Sequence, residues 1–155
     1  MQDIIERSLD LPHPPSRVWR ALTDHIRFGA WFGVAMDGPF RLGEATGGRF
    51  TLPGHEHARF EAEVVEWTPE TVFAWRWSPV SPEPGQALRD GPTTLVRFEI
   101  APTVSGARLT VVESGFASLP VDQAQEALRG NTAGWEFQFG RVEAFLAQEA
   151  ASADA

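Results

Sequence analysis

Four bulky apolar residues near the C-terminal end recur at the spacing of one helix face, and they constrain the fold more than any other feature. They are Trp135, Phe139, Val142 and Leu146. Such a stripe is typical of a helix that buries one side. Because it follows a long run of strand-like segments, we predict a long helix, from about residue 118 to residue 148, that closes over a curved sheet. That arrangement either packs solidly or leaves a cavity.

The earlier part of the chain alternates apolar and polar residues with a period of two, which predicts antiparallel strands with one covered face. The first strand is expected near residues 5–11, and further strands are expected between 36 and 115. Between them, Pro15 suits a helix start, and Thr23-Asp24 predicts the cap of a second short helix that ends near Gly29.

Two further segments are interpreted as breaks between strands. Gly47-Gly48 is typical of a turn, and residues 79–92, with four Pro and two Gly, predict a long loop. We expect one domain over residues 1–149 and a frayed tail over 150–155.

Missing residue types exclude several chemistries. The chain has no Cys and no Tyr, and all 13 basic residues are Arg, so it has no Lys. Thiol nucleophiles, thiolate metal sites and Schiff bases are therefore impossible.

The net charge of −8 disfavours binding to nucleic acids and anionic membranes. No signal-like segment and no bilayer-length apolar run are present, so we expect a cytoplasmic location without membrane insertion.

A series of local motifs is similar to a known family. In order they are Pro15-Ser-Arg-Val18-Trp19-Arg-Ala-Leu22-Thr23-Asp24, Trp31-Phe32, Gly47-Gly48-Arg49-Phe50, Glu66-Trp67-Thr-Pro69, Trp75-Arg76-Trp77, Ser114-Gly115-Phe116 and Gly134-Trp135. Over about residues 3–147 the chain resembles the helix-grip (START-like, or SRPBCC) superfamily, and within it the bacterial family similar to the C-terminal domain of the activator of heat-shock-protein-90 ATPase.

This resemblance implies an α+β helix-grip fold. A seven-stranded curved antiparallel sheet would wrap around the long C-terminal helix, with two short helices after the first strand. Proteins of this fold often enclose an apolar cavity between sheet and helix.

The aromatic residues are the first candidates for lining such a cavity. We predict this role for Trp31, Phe32, Trp75, Trp77, Phe98, Phe116, Trp135 and Phe139. The alternative is that these rings fill a solid core.

Two charged residues, Arg7 and Glu113, share the strand parity of apolar neighbours. If both point inward, they are polar groups of the cavity, and Glu113 is a candidate acid or base. The alternatives are a bulge that reverses the parity, a position at the open rim, or a structural ion pair.

The histidines give little support for a metal site. His55 and His57 are two residues apart, but no cluster of further ligands completes a site, so we interpret this segment as an exposed hairpin. His13 and His25, at helix ends, are interpreted as structural. We predict no metal and no cofactor.

Three functions remain open. The first is binding of a small apolar or aromatic molecule between sheet and helix. The second is a co-chaperone-like module with a chaperone or other protein partner, and the third is a cyclase, dehydratase or hydrolase. The motif around Ser114 is not a nucleophile elbow.

Overall fold

The computed structural model of the chain describes residues 3–78 and 92–153. Over these residues the chain forms strands, two short helices and one long helix in the order β1 Ile4–Leu11, α1 Pro15–Thr23, α2 His25–Phe32, β2 Val34–Met36, β3 Ala45–Phe50, β4 Arg59–Thr68, β5 Val72–Trp77, β6 Thr94–Thr103, β7 Gly106–Ser114 and α3 Val121–Ala153. A 3-10 helix, Phe116–Ser118, leads into α3.

The strands form one antiparallel sheet of seven, in the order β1-β7-β6-β5-β4-β3-β2. The first strand pairs with the last, and β2 closes the opposite edge. A register shift between Val64 and Glu66 interrupts the pairing of β4 with β5. The predicted α+β helix-grip fold, with two short helices after the first strand, is confirmed.

The apolar stripe of α3 faces the core, as its spacing predicts. Trp135, Phe139, Val142 and Leu146 are all buried. The helix begins at Val121, close to the predicted start, but it continues to Ala153. Residues 150–153 are therefore helical, and residues 154–155 of the predicted tail lie outside the described part of the chain. No helix in that part is long and apolar enough to cross a membrane.

The short helix α2 starts where its cap signal predicts but ends later. The Asp24 side chain accepts a hydrogen bond from the backbone N–H of Ile26 at 3.2 Å. The helix then passes Gly29 and ends at Gly33, which adopts a left-handed φ of 88°. Gly29 instead allows the backbone of Val34 to approach the helix closely, because a Cβ at Gly29 would lie 2.3 Å from the carbonyl oxygen of Val34.

The interpretation of Gly47-Gly48 as a turn is wrong, since both residues lie inside β3. A Cβ at Gly47 would lie 2.0 Å from the Phe60 carbonyl oxygen, and one at Gly48 would lie 2.1 Å from that of Ala35. These glycines therefore allow the neighbouring strands to approach closely. The predicted loop over residues 79–92 lies, apart from residue 92, outside the described residues.

Substitution of Gly48 tests this close approach. Because a methyl group must displace backbone, we expect Gly48→Ala to lower the free energy of unfolding by about 1–3 kcal/mol. The matched change Gly140→Ala, on α3 where a Cβ meets nothing within 4 Å, should raise it by about 0.5–1 kcal/mol. Urea denaturation of both variants checks the prediction, and a stable Gly48→Ala protein would contradict it.

His13 makes stability depend on pH. Its side chain is buried, and burial, followed by the positive charge of Arg17, lowers its pKa below the ordinary 6.5, although Glu149 opposes the shift. Between the lowered pKa and 6.5, the unfolded chain binds a proton that the folded chain does not. The free energy of unfolding should therefore fall as the pH drops below 6.5.

Comparison with His13→Asn isolates this contribution. We expect that variant to show a flatter pH dependence between pH 7.5 and 5.5, measured by urea denaturation. His57→Asn, which changes an exposed histidine, should keep the wild-type slope. Equal slopes in all three proteins would contradict the prediction.

Candidate functional site

A cavity of about 350 Å³ lies between α3 and the sheet. Its walls come from the end of α2, the end of β3 with the β3–β4 turn, the end of β5, and one face of α3. Among the described residues, the lining side chains are mostly apolar and include no Arg, Asp or Glu: Phe32, Phe50, Leu52, His55, Ala58, Trp77, Asn131, Gly134, Trp135, Phe137 and Gln138. Its volume and lining fit a small-molecule site.

Behind this cavity, Glu113 is fully buried and is held by four side chains. One carboxylate oxygen, Oε2, accepts hydrogen bonds from Trp77 Nε1 at 2.8 Å and from Thr94 Oγ1 at 2.5 Å. The other, Oε1, accepts one from Trp135 Nε1 at 2.8 Å. Asn131 Nδ2 lies 3.0 Å from both oxygens. We call these five residues the Glu113 cluster.

The four donors of the Glu113 cluster are all uncharged. A buried carboxylate usually pairs with a cation, because removing its charge from water is costly. Here neutral N–H and O–H groups replace that partner. Indole and amide N–H groups only donate hydrogen bonds, so both side-chain oxygens of Glu113 act as acceptors in this arrangement.

Sheet register and helix periodicity bring the Glu113 cluster together. Glu113 on β7 pairs with Val96 on β6, two residues beyond Thr94, and Thr94 pairs with Trp77 on β5. Asn131 and Trp135 are four residues apart on α3 and therefore share one helix face. The cluster joins three central strands to α3.

A second set of contacts fixes α3 against the short helix α2. Gln138 Nε2 donates to the Phe32 carbonyl oxygen at 2.9 Å, and Arg141 Nε donates to the Trp31 carbonyl oxygen at 2.5 Å. These carbonyls lie in the last turn of α2, where a helix has no internal donors for them. The wall of the cavity that carries Phe32 is thereby held in place.

Three of the eight predicted aromatic residues line the cavity, namely Phe32, Trp77 and Trp135. The other five are buried but belong to the core around it rather than to its lining: Trp31, Trp75, Phe98, Phe116 and Phe139. Both alternatives left open by the sequence therefore hold in part. Five of the rings belong to the buried core, and a cavity lies beside them.

Trp31 illustrates the structural role of these core rings. Its N–H donates to the Ala21 carbonyl oxygen at 2.7 Å, which ties α2 to α1. Trp75 has ring contacts with Phe28, Phe60 and Phe98. Neither ring reaches the cavity.

The inward orientation predicted for Glu113 is correct, whereas the placement of Arg7 in the cavity is wrong. Arg7 has the expected strand parity, but β1 is an edge strand, so the side chain extends past the core. It pairs with the exposed Glu136 of α3 at 3.4 Å. Arg7 is thus a structural surface pair, one of the alternatives considered.

Sequence reasoning missed the amides of Asn131 and Gln138 as lining residues. The spacing of these residues was a usable signal. Asn131 precedes Trp135 by four residues and Gln138 follows it by three, so both lie on the same helix face as Trp135. Gly134 also lines the cavity, and a Cβ there would meet nothing within 4 Å.

The two histidines of the predicted hairpin lie where the sequence places them. His55 and His57 are both exposed in the connection between β3 and β4, and His55 reaches the rim of the cavity. Among the residues that the structure describes, no group of three or more His, Asp or Glu side chains is arranged to hold a metal ion.

The geometry of Glu113 favours a structural role over acid–base catalysis. A general base must reach the proton that it removes. Both oxygens of Glu113 already accept hydrogen bonds, and Trp77, Trp135 and Asn131 separate the carboxylate from the cavity. Glu113 therefore orients the cavity walls rather than facing a ligand.

Comparison with known proteins agrees with this fold. The family described as Activator of Hsp90 ATPase homolog 1-like protein matches residues 12–147. No curated protein sequence matches the chain.

Several solved structures are similar over nearly the whole chain. MLL2253 from Mesorhizobium loti is 23% identical with a TM-score of 0.74, and the match covers 94% of this chain and 97% of that one. The Aha1 dimer from Colwellia psychrerythraea is 15% identical with a TM-score of 0.70, covering 94% and 96%. DynU16, encoded in the dynemicin biosynthetic locus, is 25% identical with a TM-score of 0.73. That match covers 94% of this chain but only 48% of DynU16.

Glu113→Gln tests the role of the Glu113 cluster in stability. The amide replaces one acceptor oxygen with an NH₂ group, which faces donors and cannot accept. We expect a loss of about 1–3 kcal/mol in the free energy of unfolding for each donor left without an acceptor. The measurement is guanidinium denaturation followed by tryptophan fluorescence.

Glu136→Gln is the matched control, because Glu136 is an exposed carboxylate on α3. Its effect should stay within about 0.5 kcal/mol. Equal stability of Glu113→Gln and Glu136→Gln would show that the buried carboxylate does not hold α3 to the sheet.

Proposed function

Because the chain belongs to the Activator of Hsp90 ATPase homolog 1-like family and holds an apolar cavity under its long helix, we propose that it binds a small, largely apolar or aromatic molecule there. The observation that carries this proposal is the cavity of about 350 Å³ with its aromatic lining. Two of its rings, Trp77 and Trp135, are fixed by Glu113, so the walls are formed before a ligand arrives.

The volume indicates the size of the ligand. An apolar cavity of about 150 Å³ accommodates one benzene molecule. The cavity here is more than twice as large, which suits a compact molecule of about two fused rings rather than a long acyl chain.

The lining also supports useful affinity without strong polar contacts. Burial of about 300 Å² of apolar ligand surface would contribute roughly 7 kcal/mol before the costs of association. Phe32, Trp77 and Trp135 offer ring faces and edges for stacked or edge-to-face contacts with an aromatic ligand. Rigid walls keep the entropic cost of binding low, so a micromolar dissociation constant is expected.

The relatives support a small-molecule role to a limited extent. DynU16 is encoded in a biosynthetic locus, and this chain spans about half of its length. The name of the Colwellia protein, Aha1, favours the co-chaperone alternative, but at 15% identity that likeness shows the fold alone.

Surface chemistry gives the co-chaperone alternative little support. The exposed large apolar side chains of the described residues are spread over several elements, with two of them on α3, 16 residues and about 24 Å apart. They are Ile4, Ile26, Leu42, Val65, Val104, Val121 and Phe137. Of these, Phe137 belongs to the rim of the cavity.

A thermal-shift screen with fatty acids, isoprenoids, flavonoids and fused-ring aromatics tests the proposal. A ligand at about 100 times its dissociation constant should stabilise the protein by about 2.7 kcal/mol, which corresponds to a shift of roughly 5–10 °C. We expect a saturable shift for compact aromatic compounds. No shift across the panel would contradict the proposal.

Two glycine variants show whether such a shift comes from the cavity. Gly134→Leu places a side chain in its lining, whereas Gly140→Leu places the same side chain on an exposed part of α3. Both remove a helix glycine, so both should fold. Loss of the ligand shift in Gly134→Leu alone is the expected result, and an equal shift in both variants would place binding elsewhere.

A further inference from the structure

Phe137 differs from the buried aromatic residues of the cavity because much of it is in contact with solvent. It is 53% exposed, whereas Phe32 is 3% exposed and Trp135 is 2% exposed. A single exposed apolar side chain needs no explanation on a protein surface. Phe137, however, also lines the cavity. It therefore belongs both to the candidate site and to the surface.

The mouth of the cavity lies beside Phe137. Among the described lining residues two are exposed, His55 on the β3–β4 turn and Phe137 on α3. Phe137 follows Gly134 by three residues, which makes the two neighbours on the helix surface. The space over Gly134 is open, because a Cβ there would meet nothing within 4 Å. The apolar lining therefore continues from the cavity past Gly134 onto Phe137.

The ring of Phe137 is held in place at this mouth. The Cζ atom of Arg141, one turn further along α3, lies over the ring, 5.6 Å from its centroid. Arg141 is itself fixed, because its Nε donates to the Trp31 carbonyl oxygen at 2.5 Å. A cation over an aromatic face attracts the ring. Phe137 thus offers a ligand a ring surface that is already positioned, which lowers the cost of binding.

A ligand that ended inside the cavity would leave this ring surface in water. The cavity of about 350 Å³ suits about two fused rings, so a longer molecule would extend through the mouth. We propose that the ligand is an elongated planar aromatic molecule, with its inner rings in the cavity and an outer aromatic ring packed against Phe137. This inference rests on the proposed ligand-binding function and deepens it, because it assigns Phe137 as the residue that selects ligands by length and by an aromatic outer end.

Three nitrogen heterocycles of one series test the inference by calorimetric titration of the wild-type protein. Quinoline has two fused aromatic rings, acridine has a third aromatic ring, and 1,2,3,4-tetrahydroacridine has a saturated third ring of similar size. In weakly alkaline buffer all three are uncharged. One aromatic pair corresponds to roughly a 2- to 10-fold tighter dissociation constant. We expect acridine to bind tetrahydroacridine's site that much more tightly than tetrahydroacridine itself, and quinoline to bind most weakly.

Two variants locate the preference. Phe137→Leu keeps an apolar side chain at the mouth but removes the ring, and the exposed position should tolerate the change. Its preference for acridine over tetrahydroacridine should fall below about 2-fold. Phe145→Leu is the matched control, because it removes a partly buried ring of α3 that does not line the cavity. It should keep the wild-type preference.

The outcomes separate this inference from the function on which it rests. If acridine binds no more tightly than tetrahydroacridine or quinoline, the elongated ligand is overturned but the cavity remains a binding site. The same holds if Phe137→Leu keeps the preference or if Phe145→Leu also loses it. Failure of all three probes to bind overturns the inference as well. If in addition no member of the wider panel shifts the melting temperature, both proposals fail.

Discussion

The carboxylate of Glu113 is buried between the sheet and α3 and is hydrogen-bonded to both. It lies on a central strand and accepts hydrogen bonds from β5, β6 and two successive turns of α3. An uncompensated charge at this depth would oppose folding, so the chain folds with the donors in place. Satisfying Glu113 requires α3 to lie at one rotation and one height over the sheet. The apolar stripe alone would tolerate small shifts along the helix axis.

The same constraint explains why a cavity survives beside a well-packed core. Trp135 contacts Phe32, Trp77 and Phe98 with ring centroids 5.6–6.2 Å apart. Its indole N–H is held by Glu113, so the ring cannot turn to fill the neighbouring space. Gly134 leaves that space open because it has no side chain. A rigid aromatic wall next to a glycine thus keeps a volume empty that a flexible side chain would occupy.

Much of this architecture could be predicted from the sequence, and the failures have physical causes. Two predictions are confirmed, the buried face of α3 from Trp135 to Leu146 and the inward orientation of Glu113, because periodicity reports which face of an element is buried. Arg7 had the same signal, but parity does not reveal that β1 is an edge strand, where an inward side chain reaches solvent. The turn predicted at Gly47-Gly48 is wrong because a close approach between strands leaves no local mark in the sequence. Which aromatic rings line the cavity depends on distances between elements, which periodicity does not contain.

Fold and site thus use different chemical groups of the same helix face. Three side chains of α3 hold it in place through their N–H groups. Those of Trp135 and Asn131 bind to the sheet, and that of Gln138 binds to α2. What the fold leaves unused is the aromatic surface that lines the cavity. Because the walls are fixed before binding, a ligand need not order them, and its affinity depends on how well it matches that remainder.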